Sequence, residues 1–433
     1  MRALLVLAAA TLVTGCKKDT GTYPTKVLIS DGSGEQWFVG DLETGEITQQ
    51  YDLNTAHYND CDQGDTALWC MMFQSRYRVD HQGRDEVIFS YNPVRNQSGA
   101  DDIIFDTTVV AVGLEDHTPH WSITALDFSQ NYDSDQYCWW DPDDPCSPHP
   151  DGDGINDRTC RMYESHDLQV IAQDDDGVSL WVADSRNARM LKVRSTYGNE
   201  CAVVEDVVNA ALFDWDIYIT PNSFQHWNDG GVDNLLISMK STIQEADYTQ
   251  AGGNARGKIV HMQNTGGGWE QLWEFPPESA VEESFVNAPH GVARTVVDGK
   301  EYVVFAHSLG LGSDFDEGSG GSIGVVRIDN GAPTYLFDAV IDGAQPWMYT
   351  RDITPLPDGM FLASDSGCTS GIDCPHPTGL YVVDLDLPNQ QPGQGDGVFA
   401  PNGSRADIRT VEVVAGPFFD SISMIYSAEN LGP

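Results

Sequence analysis

This 433-residue chain predicts an all-β fold built as a single β-propeller of six blades. Three observations carry that expectation. Short runs rich in Val, Ile, Tyr, Phe and Trp recur along nearly the whole chain, separated by Gly, Asp, Asn and Pro clusters. The runs group into units of one grammar: a starter strand, an Asp/Gly turn, an apolar strand, then a strand closing in a short polar hairpin. Long amphipathic periodicity is missing, apart from a turn or two of helix expected around 205–213 (EDVVNAALF). One small sheet cannot bury both of its faces alone, so such units stack around an axis. Seven or eight blades are the alternatives.

The elements follow in chain order. Residues 1–15 read as a signal peptide: Arg2 precedes an apolar run, Ala3 to Val13, too short for a permanent membrane helix. The run ends in Val13-Thr14-Gly15-Cys16, which resembles a bacterial lipobox, so Cys16 is the expected lipidation site and residues 16–25 the tether. A Lys at position 17, where Asp would favour inner-membrane retention, points to the outer membrane. The partner implied is the membrane itself, reached through the lipid. The propeller is expected over 26–427. Its six units cover 26–53, 77–123, 166–195, 222–276, 290–338 and 351–386, and the tail 411–427 is expected to supply the strand that joins last blade to first. Closure matters because an open ring leaves unpaired strand edges.

An insertion at about 128–165 interrupts the second and third units. It is acidic and rich in cysteine. With Cys16 lipidated, Cys61, Cys70, Cys138, Cys146, Cys160, Cys201, Cys368 and Cys374 remain, an even number suited to disulfides in an oxidising compartment. Cys61 with Cys70, and Cys368 with Cys374, bracket short loops. The other four allow three pairings, which spacing does not separate. Within the insertion, Asp151, Asp153, Ile155 and Asp157 form an Asp-x-Asp-Gly-Ile-x-Asp loop resembling the calcium loops of thrombospondin type-3 and dockerin repeats. Alternate carboxylates and the Ile155 carbonyl face one ion there, and Gly154 permits the turn. His149 and Cys160 stand where such loops carry further acids. The expected cofactor is a structural Ca2+.

Charge restricts the partners. The chain holds 66 Asp and Glu against 23 Lys and Arg, a formal net charge of −43. Such a surface repels phosphate backbones and anionic headgroups, so no nucleic-acid partner is expected. No Walker loop, dinucleotide fingerprint or His-Glu-x-x-His is present, so no nucleotide cofactor is expected. Gly320-Gly321-Ser322-Ile323-Gly324 has the letters of a nucleophile elbow. It leads from a Gly-rich loop into a strand, with only His376 downstream, and is a chance match.

Several units carry a resemblance. Asp214-Trp215, Asn222-Ser223, Leu235 to Ser238 and Gly257 to Val260 fit the repeat grammar of the bacterial arylsulfotransferase-type propeller, and RDITPLPDGMFLASDSG (351–367) resembles that family's His-Asp-x-x-x-Leu-Pro-Asp-Gly-Asn phrase. The likeness covers residues 160–390 as repeat grammar. It implies a propeller and, by family analogy, sulfuryl transfer through a channel histidine with an arginine steadying the anion. On these positions the candidates are His166, His290 and Arg351. The family's His-x-Asn histidine falls on Thr220, and its His-Asp on Arg351-Asp352. Trp139, Trp140 and Trp347 are candidates for stacking a ring-shaped ligand.

Two functions follow as expectations. One is an outer-membrane lipoprotein whose propeller binds a small molecule or an envelope protein at its face or channel. The other is an aryl sulfotransferase-type enzyme. Whether His166, His290 and Arg351 converge on one cavity separates the two: on separate faces, the enzyme reading fails.

Overall fold

The structure, a computed structural model, describes residues 26–31, 36–41, 46–52, 68–95, 103–104, 107–128, 162, 164–209, 219–241, 257–277, 289–307, 322–339, 350–356, 360–365, 379–389, 407–411 and 419–424. They form six small antiparallel sheets in a ring, a six-bladed β-propeller. Blade 1 takes Lys26–Asp31, Gln36–Asp41 and Ile47–Asp52, with Phe419–Met424 as its innermost strand. Blade 2 runs through Leu68–Val79, Asp85–Arg95, Thr108–Gly113 and Pro119–Ile123, and Ile103–Ile104 pairs with its second strand. Blade 3 is Ser165–Gln173, Gly177–Asp184, Arg189–Thr196 and Cys201–Asn209, with Ala125–Asp127 in parallel on its outer edge. Blade 4 is Ile219–Asp229, Val232–Ser241, Lys258–Asn264 and Trp269–Phe275. Blade 5 is Pro289–Val297, Lys300–His307, Ser322–Asp329 and Ala332–Ala339, and blade 6 is Thr350–Pro355, Met360–Asp365, Gly379–Asp384 and Asp407–Val411.

Each innermost strand touches those of both neighbouring blades, the last closing on the first. The tail strand does this work: Phe419–Met424 pairs with Lys26–Asp31, inside the expected 411–427, while Asp407–Val411 forms the outer edge of blade 6. Two expectations are corrected. Blade 2 begins at Leu68 rather than near Tyr77. The helical turns expected around 205–213 are not formed over 205–209, which continue a strand. There the β-branched Val204, Val207 and Val208 are buried against neighbouring blades, and packing of this kind overrides a weak helical pattern.

The core is a set of slabs between blades. Leu28, Trp37 and Val39 meet Met72, Val87 and Phe89 between blades 1 and 2. Ile88, Ala111 and Trp121 meet Leu168, Leu180 and Val193 between blades 2 and 3. Strands that are apolar along most of their length, such as Gly177–Asp184, are buried on both faces.

Serines stitch the slabs near the axis. Ser30 donates to the Phe73 carbonyl at 3.2 Å and Ser90 to the Ser165 carbonyl at 2.7 Å. Ser185 donates likewise to Pro221, and Ser238 to His290. In each case the hydroxyl sits on or beside the second strand of one blade and reaches the innermost strand of the next.

Candidate functional site

The innermost strands run side by side around the channel, as the cross-blade bonds show. Asn222 meets His290 near their starts, Gln169 meets the backbone of His226 midway, and Arg78 meets Gln173 near their ends. At the starting end the pairing with the second strand slips in all six blades. A β-bulge of this kind re-aims the residues it carries. Those residues are Phe73 and Gln74, His166, Asn222, His290 and Gly291, and Arg351 and Asp352, with Asp420 at the sixth slip. Gly291 is required for close packing, since a Cβ there would stand 2.5 Å from Asp352 Oδ1 and 2.6 Å from the Ile353 nitrogen.

The bulges gather polar groups at one mouth. Nδ1 of His290 lies 2.6 Å from the side-chain amide of Asn222, which fixes the imidazole tautomer. Nη1 of Arg351 stands 3.3 Å from Nε2 and 3.5 Å from Nδ1 of the same ring. His290 is buried, and burial drives its pKa well below the ordinary histidine value; Arg351, Lys240 and His166 push it the same way. The imidazole is therefore neutral at pH 7, in a neighbourhood of cations. His166 packs its ring 4.5 Å from that of Phe73. Thr220 is buried, its hydroxyl 3.5 Å from the Lys240 carbonyl.

Deeper in the channel, Arg76 forms a bar. Its Nη2 lies 2.9 Å from Asp167 and its Nη1 3.5 Å from Asp352, which ties blade 2 to blades 3 and 6. Asp167 also accepts hydrogen bonds from Ser223 Oγ at 2.8 Å and from the Phe224 amide at 3.0 Å, on blade 4. Burial opposes the charge on Arg76, but the two carboxylates outweigh it and raise its pKa above the usual value. From Arg76 to the far mouth runs a cavity of about 590 Å³, lined among others by Arg78, His81, Gln169, Gln173 and Thr354.

The sequence candidates thus divide. His290 and Arg351 come into contact, and His166 stands at the matching bulge of blade 3, close enough to act on His290 electrostatically. Arg76 and Lys240 went unnoticed in the sequence. The carboxylate partners of Arg76 lie 91 and 276 residues away, so no local pattern marks it. Cys16, the loop Asp151, Asp153, Ile155 and Asp157, the three tryptophans at 139, 140 and 347, and Cys61, Cys138, Cys146, Cys160, Cys368 and Cys374 lie outside the described residues, as does the side chain of Cys70. Cys201 is disulfide-bonded.

No family model matches the chain, and no curated protein does. Among solved structures it is similar to a hypothetical selenium-binding protein from Sulfolobus tokodaii, at 10% identity over 84% of this chain and 88% of that one, TM-score 0.41. It is similar also to a functionally unknown protein from Desulfotomaculum acetoxidans, at 10% identity over 84% and 93%, TM-score 0.38. A third likeness is to a dihydro-heme d1 dehydrogenase, at 12% identity over 87% and 75%, TM-score 0.35. The ring of six sheets stands on its own topology.

Proposed function

We propose that this chain is a lipid-anchored protein of the bacterial outer membrane whose propeller channel binds an oxyanion, a sulfate or sulfate ester, at the mouth built by His290, Arg351, Asn222 and His166. One observation carries the reading: Arg351 lies 3.3 Å from a buried His290, with Asn222 at 2.6 Å on the same ring and Lys240 and His166 near enough to act on it. An oxyanion entering there finds a guanidinium, an amide and imidazole N–H groups, the donor set that charge-assisted recognition uses. Cys16 as the lipid site and a structural Ca2+ on Asp151, Asp153, Ile155 and Asp157 complete this reading.

Calorimetric titration of the mature protein with sodium sulfate, calcium present, tests it. Sulfate is expected to bind once per chain, and Arg351→Met to weaken it tenfold or more, as loss of a charge-assisted hydrogen bond does. Equal affinity in Arg351→Met and in His290→Gln would remove the site from the channel.

A second reading, sulfuryl transfer, is favoured by the neutral state of His290. The lone pair of the neutral ring is on Nδ1, so attack on the sulfur of an aryl sulfate requires Asn222 to release that nitrogen; N–S then forms as the S–O bond breaks and phenolate leaves. A phenol acceptor then takes the sulfuryl group, losing its proton and freeing the ring. Acceptor-dependent release of a chromogenic phenol, lost in His290→Gln, would establish turnover. Sulfate binding with no release would leave a binding protein.

A further inference from the structure

A second cluster of chemistry-bearing side chains lies in blade 2, at the end of the channel opposite His290. One carboxylate oxygen each from Asp80 and Glu86 and one ring nitrogen of His120 lie within 4.8 Å of one another. Asp80 follows the innermost strand and also lines the axial cavity, Glu86 is the second residue of the second strand, and His120 comes from the outermost. Two strands separate the innermost from the outermost, so the cluster draws three parts of one blade together.

Its members differ in how well they are satisfied. Asp80 is fixed by the turn that follows it: its Oδ1 accepts from the Gln82 and Arg84 amides, each at 2.8 Å. Glu86 is fully buried, with Oε1 3.0 Å from His120 Nδ1. Its Oε2 is buried too and accepts no hydrogen bond; Arg78 Nε is 3.5 Å away. A buried carboxylate oxygen left without a donor is costly. Arg78 neutralises part of its charge but makes no hydrogen bond to it, so the oxygen keeps its lone pairs for a further cation.

We propose that Asp80, Glu86 and His120 form a binding site for a divalent transition-metal ion, zinc foremost. One imidazole and two carboxylates are the donor set that zinc and manganese accept, whereas calcium takes six to eight oxygens. Bonds of about 2.0–2.2 Å around a tetrahedral ion set its ligand atoms roughly 3.3–3.6 Å apart, so side chains whose donor atoms lie within 4.8 Å of one another close on the ion by at most about 1.5 Å. Two cations stand nearby. Arg84 contacts Asp80 Oδ2 at 2.7 Å, but its side chain is 50% exposed and swings into water as the ion arrives. Arg78 remains beside Glu86. The ion clamps the hairpin at the far mouth to the outer strand, on the wall of the axial cavity, and three protein ligands leave at least one position for water.

The test uses the mature protein, stripped with a chelator and titrated with zinc in excess calcium, so that exposed acids are already occupied. One tight site is expected. Glu86→Gln and His120→Ala each weaken it about 100-fold or more, since even outer-shell changes at metal sites cost 10–100-fold. Arg84→Met, which removes the competing cation, binds zinc at least as tightly as wild type. Anomalous diffraction at the zinc edge from crystals of the unmodified protein is expected to place the ion between Asp80, Glu86 and His120. Unchanged zinc affinity in both ligand variants, or an anomalous peak only elsewhere, overturns the proposal.

Discussion

At the scale of single residues, His290 is the group whose state decides the chemistry of the mouth. Its folded pKa lies well below the unfolded value of about 6.5, through burial first and then Arg351, Lys240 and His166. The unfolded chain therefore holds more protons in that window. The stability tied to this group is fully present above pH 6.5 and is lost as pH falls below it. His290→Gln is expected to lose less stability than wild type between pH 7 and 5, read as the shift in urea midpoint; an identical shift in the two proteins would show that the ring titrates normally. Of this site, His290, His166 and Arg351 were legible in the sequence, because each opens a strand at the same place in the repeat. Arg76 and Lys240 were not. Arg76 sits in MMFQSRYRV, where an arginine in a strand most often faces solvent, and its role exists only once the ring brings Asp167 and Asp352 to the axis. The bulges are equally silent in sequence, because a slip of one or two residues depends on the pairing register of two strands.

At the scale of elements, the stitching serines explain why the second strand of several units carries the same small polar residue. A hydroxyl at Ser90 satisfies the Ser165 carbonyl where the bulge interrupts the ladder, with both groups buried. Ser90→Ala is expected to cost about 0.5–1.5 kcal/mol for the hydrogen bond, and more where the Ser165 carbonyl stays dry. The midpoint of chemical unfolding reads this, and a neutral result would show that water replaces the hydroxyl. Glutamines do parallel work one step further along. Gln169 holds both the amide and the carbonyl of His226, and Gln225 accepts from the Arg294 amide at 2.6 Å. The corresponding residue of blade 5 is Ala293, and the position it would serve in blade 6 is Pro355, which has no N–H to satisfy. Donor and acceptor are lost together there, a coupling between blades that no single unit displays. The strands themselves were legible, since alternating or continuous apolar runs and Asp/Gly turns mark most of them. The edges were less so: Leu68–Val79 starts in a run that follows a cysteine-bearing loop, and 205–209 reads equally as helix until its valines meet the neighbouring slabs.

At the scale of the whole molecule, closure is the step on which the ring depends. The tail strand Phe419–Met424 must find Lys26–Asp31 across nearly the entire chain, a loop closure costing roughly 5 kcal/mol for on the order of 400 residues. What offsets that cost is specific. The tail pairs along Val27 to Asp31, whose apolar residues Val27, Leu28 and Ile29 are fully buried, and it packs against the innermost strands of blades 2 and 6. Without it, blade 1 presents an apolar, unpaired edge to the axis, the arrangement that drives association between chains. The acidic surface adds self-repulsion, which salt screens: the Debye length falls from about 10 Å at 0.1 M to about 3 Å at 1 M. Truncation after residue 411 should therefore abolish the single cooperative thermal transition in 0.1 M salt and leave a chain that associates. A peptide spanning 412–433, added in excess, should restore the transition by supplying the missing strand, and 1 M NaCl should lower the peptide concentration required. A truncated chain that melts cooperatively as a monomer without peptide would show that five complete blades and an open sixth suffice, and that the tail strand only seals a ring already formed.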